Sequence, residues 1–298
     1  MTIRHAARLR CPVCGNPDWH PRIGGEECTH CGLQVDTGVA LAPVGAAIQR
    51  RLEDGMACPA PGDRWALSPG GWRNAAWRFG HVLAGESAHP AAPRDHAITL
   101  AIMTQPSECA AAASLVGSLP GFVRRIVLVD AADDAPWRTL FATAELHAHP
   151  LDGDFAEQRN RLQSLAGTGW VLQLDSDERP DATLLESLGW LVEAAERDDL
   201  QSLGLARRNL VDGEPSALFP DIQYRLNRAE VRFAGLVHER PMVPFPQTSL
   251  ALSGAIDHRL DSARVRARTR GYAAMSADGA RPEDEERLLR PYDAIADR

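Results

Sequence analysis

Residues 97–130 read AITLAIMTQPSECAAAASLVGSLPGFVRRIVLVD. Ala97 to Met103 is a continuous apolar run ended by TQPSE, the alanine-rich stretch after it reads as a helix, and Val123 to Asp130 is a second apolar run that stops on an acid. Continuous rather than alternating hydrophobicity marks strands covered on both faces, which are typically parallel. Strand, helix and strand within about thirty residues make a βαβ unit. Downstream, AELHAHPL supplies a weaker third strand, and DFAEQRNRLQSLAGTG a helix with Asp154 as cap, Gly167 as stop and Phe155, Leu162, Leu165 and Ala166 on one face.

The stretch WVLQLDSDERP, residues 170–180, is read as a further buried strand that runs into three acids, Asp175, Asp177 and Glu178. Ligands of parallel α/β sheets bind beyond the carboxyl ends of the strands, and both Asp130 and Asp175 fall at strand ends. Two carboxylates one residue apart can offer oxygens to a hard divalent cation that keeps the rest of its shell for water and phosphate. Such an ion would relieve the repulsion between the acids and neutralise a diphosphate leaving group. As a bare motif D-x-D is equally a solvated loop or a helix cap; its place after a buried strand singles it out here.

From Ala97 to Tyr272 the chain resembles the inverting GT-A glycosyltransferases of the large family two: a first strand ITLAIMTQ, a second RIVLVDAADD, a helix carrying Arg159 and Asn160, then WVLQLDSDE. It is similar in particular to the branch that reads LDADE at this point and later carries a Gly-x-x-His-Glu segment, here GLVHERP, residues 235–241. The resemblance implies an α/β GT-A domain with a Rossmann-like, mostly parallel sheet. It implies that Thr104 and Asp130 line the nucleotide base pocket, that Arg159 approaches the base or diphosphate, and that Asp175 and Asp177 hold the donor phosphates and a catalytic Mn2+ or Mg2+. It places His238 beside that ion, with His258 as a further candidate for its shell and Glu239 as the base. Read without the family, Asp130 is equally a helix cap, Arg159 a surface residue, His258 a satisfied loop histidine, and Glu178 part of a carboxylate network or a cap of the helix DATLLESLGWLVEAAE. YRLNRAEVRFAGLVHE reads as a hairpin broken at NRAE.

Ahead of this domain stand two CxxC knuckles, Cys11 with Cys14 and Cys28 with Cys31, each followed directly by a glycine, Gly15 and Gly32. Paired knuckles let two tight turns present four thiolates to a structural zinc ion without a large core, and a closed four-thiolate site leaves no open position for catalysis. Residues 1–50 carry five arginines against four acids, so this ribbon is nearly neutral and suits docking, a protein or peptide contact or stabilisation better than nucleic acid. His20 and His30 are read as bystanders, and Cys58 and Cys109 as ordinary thiols.

Composition narrows the chemistry further. All 32 basic residues are arginine, which removes pyridoxal-phosphate Schiff bases and the usual Gly-Lys P-loop. The net charge of −8 argues against a nonspecific grip on nucleic acid. No run reaches the roughly 20 apolar residues of a membrane span, and MTIRHAARLR lacks the apolar centre of a signal peptide, so the chain is read as cytoplasmic. The expected organisation is a zinc ribbon over 1–40, an irregular packed connector over 41–95 with a short helix near Trp72 to Leu83, the GT-A domain over 96–272 and a charged, solvated helical tail over 273–298. Trp65, Trp72 and Trp77 are expected to pack on a neighbour. The expected function is metal-dependent, inverting sugar transfer from a nucleotide-sugar donor to a saccharide, lipid carrier, peptide or small molecule. The alternatives are a non-catalytic zinc-ribbon interaction protein with a nucleotide-binding domain, and a nucleotidyltransferase, which the missing lysine and glycine-rich loop disfavour.

Overall fold

The computed structural model describes residues 10–79, 98–119, 121–276 and 281–292. The chain begins with an antiparallel meander, β1 (Trp19–Arg22), β2 (Gly25–Cys28) and β3 (Gln34–Asp36). Next come α1 (Leu41–Glu53), β4 (Trp65–Ala66) and α2 (Pro69–Phe79). β4 pairs with β3, so the small sheet extends well into the stretch expected to be an irregular connector. Among the described residues that stretch also holds two helices, where one was expected. The first turns Val44, Ile48 and Leu52 inward at helical spacing, and residues 80–83 of the expected helix lie outside the described residues.

The large sheet begins with β5 (Ile98–Thr104), followed by α3 (Cys109–Ser118), β6 (Arg124–Val129), β7 (Glu145–Ala148), α4 (Phe155–Ala166) and β8 (Trp170–Asp175). These four strands are all parallel, in the order β7-β6-β5-β8. Leu100, Ile102, Leu172 and Leu174 pack on the α3 side with Leu115, while Ala101 and Val171 face Leu162 and Ala166 of α4. Both faces of the sheet are thus covered, which is why the strands read as unbroken apolar runs. Asp154 caps α4 by accepting from the Glu157 N–H at 2.9 Å, and Gly167 ends it at φ +80°.

Beyond β8 come β9 (Glu178–Pro180), α5 (Ala182–Arg197), β10 (Ser202–Val211), β11 (Glu214–Pro215) and β12 (Asp221–Arg228). The chain finishes with β13 (Phe233–Ala234), β14 (Arg240–Pro241), β15 (Thr248–Leu260), α6 (Ser262–Met275) and α7 (Pro282–Leu289). The sheet continues β8-β12-β10-β15-β9, with β12 antiparallel to β8 and β15 parallel to β10. The expected hairpin at NRAE does not form: β12 pairs with β8 and β10, and β13 pairs with β14.

This order forces a curl. In a flat sheet the four spacings from β8 to β9 would span about 19 Å, yet only three residue-to-residue steps lead from Asp175 to Glu178 and reach about 10 Å at most. β15 makes the bend. Its register against β10 runs from Leu205↔Ala251 to Arg207↔Ile256, so residues 252–255 bulge opposite residue 206. Gly254 sits in that bulge at φ +74°, and a Cβ there would lie 2.3 Å from the Leu184 nitrogen. The bend aligns His258 with Glu178 and brings the end of β15 over the end of β8.

Cys11, Val13, Cys28 and Leu33 share one buried core with Ile48 of α1, Trp72 of α2, and Ala206, Ile222 and Leu250 of the large sheet. Trp65, Trp72 and Trp77 are all buried, as expected of them. Asn74 of α2 fastens this layer to β15, its Oδ1 accepting from Ser249 Oγ at 2.7 Å and the Leu250 N–H at 2.9 Å. Among the described residues no helix is long and apolar enough to cross a membrane.

Candidate active site

The acids at the end of β8 are not left to repel one another. Glu178 is 0% exposed, and its carboxylate accepts from Arg207 Nη1 at 2.9 Å, from Arg225 Nη2 at 2.8 Å and Nε at 3.1 Å, and from the Asp175 N–H at 3.0 Å. Asp175 accepts from Arg225 Nη2 at 2.7 Å and Arg159 Nη2 at 3.2 Å. Arg159 also donates through Nε to Glu239, and Arg225 lies 3.8 Å from the same carboxylate. Burial alone would raise the Glu178 carboxyl, but Arg225 and Arg207 outweigh it and bring it down to about 2. In the same way burial is overcome at Asp175 by Arg225 and Arg159, and at Glu239 by Arg159 and Arg225, so both stay below their ordinary values. Three guanidiniums, those of Arg159, Arg207 and Arg225, thus offset the charges of Asp175, Glu178 and Glu239.

Two of those arginines stand on strands that follow the acids in sequence. Arg207 is on β10 and Arg225 on β12, strands that mix apolar and polar residues, and sequence reading did not single them out. Arg207 is itself held by Asp221, with Nη2 to Oδ2 at 2.6 Å. Arg159, expected near the base or diphosphate, is 2% exposed, lines the second cavity and clamps Glu239 to Asp175.

Two cavities open over this network. The first, of ≈ 300 Å³, is lined by Thr104, Asp130, Asp175 and Asp177, so four expected donor-side residues do converge at the ends of β5, β6 and β8. Asp130 caps no helix; its Oδ1 accepts from the Leu151 N–H at 2.8 Å and fixes the loop after β7. The second, of ≈ 160 Å³, is lined by Arg159, His238, Glu239 and the arginines on β10 and β12. Phe155, Asp175, Arg268 and Tyr272 line both. Tyr272 meets Phe155 edge-on at 6.1 Å and His238 at 5.4 Å, so these rings form the partition between the chambers. His238 sits at φ +55°, a left-handed turn rare for a side chain of its size, which aims GLVHE back at the cleft.

α7 walls the second cavity with Arg281, Asp284, Glu285 and Leu288. The tail expected to be a solvated face is thus part of the site. Burial raises the Asp284 carboxyl above its usual value despite the neighbouring Arg281.

Of the expected ion-binding set, Asp177 and His258 meet, Oδ2 to Nε2 at 3.3 Å, while His238 lines the second cavity apart from them. Among the described residues the four cysteines are the group of three or more potential ligands whose atoms lie within 4.8 Å of one another. His258 is 2% exposed, and burial together with Arg207 lowers its pKa, so the imidazole is neutral near pH 7. Asn209 donates to Asp221 at 3.0 Å, which turns its oxygen toward His258 Nδ1 at 2.7 Å. Nδ1 therefore donates, and Nε2 accepts from Arg268 Nη1 at 3.2 Å. His238 faces the other chamber. Asp177 touches His258 and also Arg264, whose Nη2 lies 2.9 Å from Asp177 and 2.7 Å from Glu108. A cationic nitrogen is thus already held between two carboxylates at the first cavity, the hard-oxygen chemistry that suits Mg2+ or Mn2+. Glu108, which ends TQPSE, lines the same cavity and was not singled out in the sequence.

The zinc expectation fits the ribbon. Cys11 and Cys31 Sγ are 3.4 Å apart, as are Cys14 and Cys28, and all four are buried. Tetrahedral Zn–S bonds place sulfurs about 3.8 Å apart, so the cage has the right size. Gly15 and Gly32 take φ +75° and +72° after the second cysteine of each knuckle. The ribbon grips the wall of the second cavity: Arg10 donates to the Phe219 and Ala217 carbonyls, and Asp18 pairs with Arg287 of α7 at 2.7 and 2.8 Å.

No protein-family model and no curated protein sequence matches the chain. Solved structures to which it is similar include S. aureus TarS, at 12% identity over 65% of this chain and 42% of that one, with a TM-score of 0.35. TarS 1–349 in complex with UDP matches at 13% identity over 65% and 69% of the two chains, TM-score 0.33. A 4-diphosphocytidyl-2C-methyl-D-erythritol synthase matches at 14% over 53% and 89%, TM-score 0.33. The chain spans less than half the length of the full TarS chain.

Proposed function

We propose that the protein is a glycosyltransferase that moves a sugar from a nucleotide-sugar donor to an acceptor nucleophile with inversion at the anomeric carbon. The observation that carries this reading is the pair of chambers that meet at Asp175, Phe155, Arg268 and Tyr272, with Thr104, Asp130 and Asp177 on one side and Glu239 on the other. The nucleoside lies between Thr104 and Asp130, and the diphosphate points along Asp177 toward the junction. The acceptor enters the second chamber, opposite the leaving group, as an in-line displacement requires.

In the transfer step the acceptor oxygen or nitrogen forms a bond to the anomeric carbon while the bond from that carbon to the diphosphate oxygen breaks, and its electron pair leaves on the nucleoside diphosphate. Glu239 takes the acceptor proton. Arg159 and Arg225 keep it ionised and aimed, which makes it a weak base suited to receiving the proton late. Mn2+ or Mg2+, which Asp177 and Glu108 would hold, would supply positive charge to the departing diphosphate. The zinc ribbon and α7 shape the acceptor chamber and take no part in bond making.

A mass-spectrometric screen of the purified chain against UDP-, GDP-, CDP- and TDP-sugars tests the reading. The expected result is release of one nucleoside diphosphate, with a product of inverted anomeric configuration when an acceptor is supplied. Tight nucleotide binding with no turnover of any donor would favour the interaction protein, and pyrophosphate release from a nucleoside triphosphate would favour nucleotidyl transfer.

A further inference from the structure

The arginine-rich helix α6 presents four guanidiniums, and their surroundings differ. Arg266 and Arg270 are exposed. Arg264 is bound to Glu108 and Asp177. Arg268 is half-buried at the partition and lines both chambers. Its Nη2 donates to Tyr272 Oη at 3.0 Å, its Nη1 to the neutral His258 at 3.2 Å, and its guanidinium carbon lies 5.5 Å from the Tyr272 ring centre. Arg159, Arg207, Arg225 and Arg264 of the same cleft each have a carboxylate within 4.0 Å, and among the described residues Arg268 has none.

A guanidinium drawn partly out of water toward neutral partners keeps its full charge and an unmatched need for an anion. The junction of the two chambers is where a nucleotide sugar must place its diphosphate if the base lies at Asp130 and the acceptor at Glu239. We infer that Arg268 is the phosphate-binding fork of this cleft, gripping the donor's diphosphate at the junction and holding the scissile bond between the chambers. The inference rests on the nucleotide-sugar reading above. Tyr272 and His258 act through Arg268 as positioning residues: each occupies one guanidinium nitrogen and turns the remaining N–H groups to the cavity. The α6 geometry explains the spacing, since Arg264 and Arg268 are one turn apart and share a face, while Arg266 and Arg270 point away.

Isothermal titration of the full chain with UDP, GDP, CDP, ADP and inorganic pyrophosphate, in buffer containing manganese, tests the assignment. Wild type is expected to bind at least one nucleoside diphosphate, and Arg268→Ala to weaken it roughly 10- to 100-fold, the loss of a charge-assisted pair of hydrogen bonds. Arg268→Lys, which keeps the charge and loses the fork, should fall between the two, and Arg266→Ala should match wild type. Unchanged nucleotide affinity in both Arg268 variants overturns the inference and leaves the sugar-transfer reading standing. Arg268-dependent binding of pyrophosphate with no nucleoside diphosphate bound supports the anion fork and removes the nucleotide-sugar reading. No binding of any of the five probes by wild type overturns both.

Discussion

Glu178 and Arg225 form a buried two-point ion pair, Nη2 at 2.8 Å and Nε at 3.1 Å from the carboxylate, under the floor of the candidate cleft. Arg207 completes the floor from the neighbouring strand. The pair ties the loop after β8 to β10 and β12, so the curl of the sheet and the position of Asp175 depend on one fully buried acid.

Removing that charge leaves two guanidiniums buried with too little counter-charge. Breaking one side of a buried pair costs about 3–5 kcal/mol, far more than a surface bridge of about 0–1 kcal/mol. Glu178→Gln should therefore lower the urea midpoint sharply, while Arg124→Ala, which removes the exposed pair with Glu145, should barely move it. Equal effects of the two would contradict the picture of a structural ion cluster.

The same pair sets an acid limit. The Glu178 carboxyl stands at about 2 in the folded chain against an ordinary 4.5, so its stabilisation is complete above pH 4.5 and is lost as pH falls from 4.5 toward 2. Asp175 and Asp221 are depressed by their arginines and add to the same slope. Denaturation followed by circular dichroism across pH 2 to 6 should show stability level above pH 4.5 and falling from there toward pH 2, with a shallower fall in Glu178→Gln. A steep loss centred above pH 5 would point to histidines instead.

Zinc removal should be felt at a distance. Arg10 and Asp18 connect the ribbon to residues 217–219 and to α7, which wall the second chamber. Chelation, or Cys31→Ser, is expected to raise hydrogen exchange in residues 216–224 and 282–289 as well as in the ribbon, because binding of the metal is part of the folding energy of such a site. Asp18→Ala should loosen α7 alone and cost no more than about 1 kcal/mol, since both partners are partly exposed. Exchange changes confined to residues 10–36 would show the ribbon to be an independent module.

Much of this was legible in the sequence because it was local. The knuckles with their glycines gave the cage, and the unbroken apolar runs of residues 98–104 and 124–129 gave two strands covered on both faces. The strand ends alone located Asp130 and Asp175, and the family resemblance added Thr104 and Asp177 to the same cavity. What was hidden was non-local. Arg207 and Arg225 become partners of the acids only through an antiparallel insertion and a bulge at Gly254, and neither feature has a period that can be read along the chain. The helix at Leu41–Glu53 was readable from Val44, Ile48 and Leu52, but the prolines and glycines around it masked the spacing. The tail looked solvated because its acids face a cavity rather than a core, and composition does not separate a wet pocket from open solvent.

Glu239 and Asp177 stand in different chambers, which separates their roles experimentally. Removal of a general base lowers turnover about 10²- to 10⁴-fold with the donor still bound. Glu239→Gln should therefore retain nucleoside diphosphate affinity, lose turnover to that extent, and show no effect on the KM for the donor beyond what the loosened Arg159 imposes. Asp177→Ala lies on the donor side: it should weaken donor binding, and it should change the manganese dependence of that binding, which Glu239→Gln should leave alone. The measurement is donor binding by titration with and without manganese, beside kcat and KM for transfer in each variant. Full turnover in Glu239→Gln alongside its loss in Asp177→Ala would remove the base assignment and move attention to Asp284, the acid in the same chamber whose pKa burial raises.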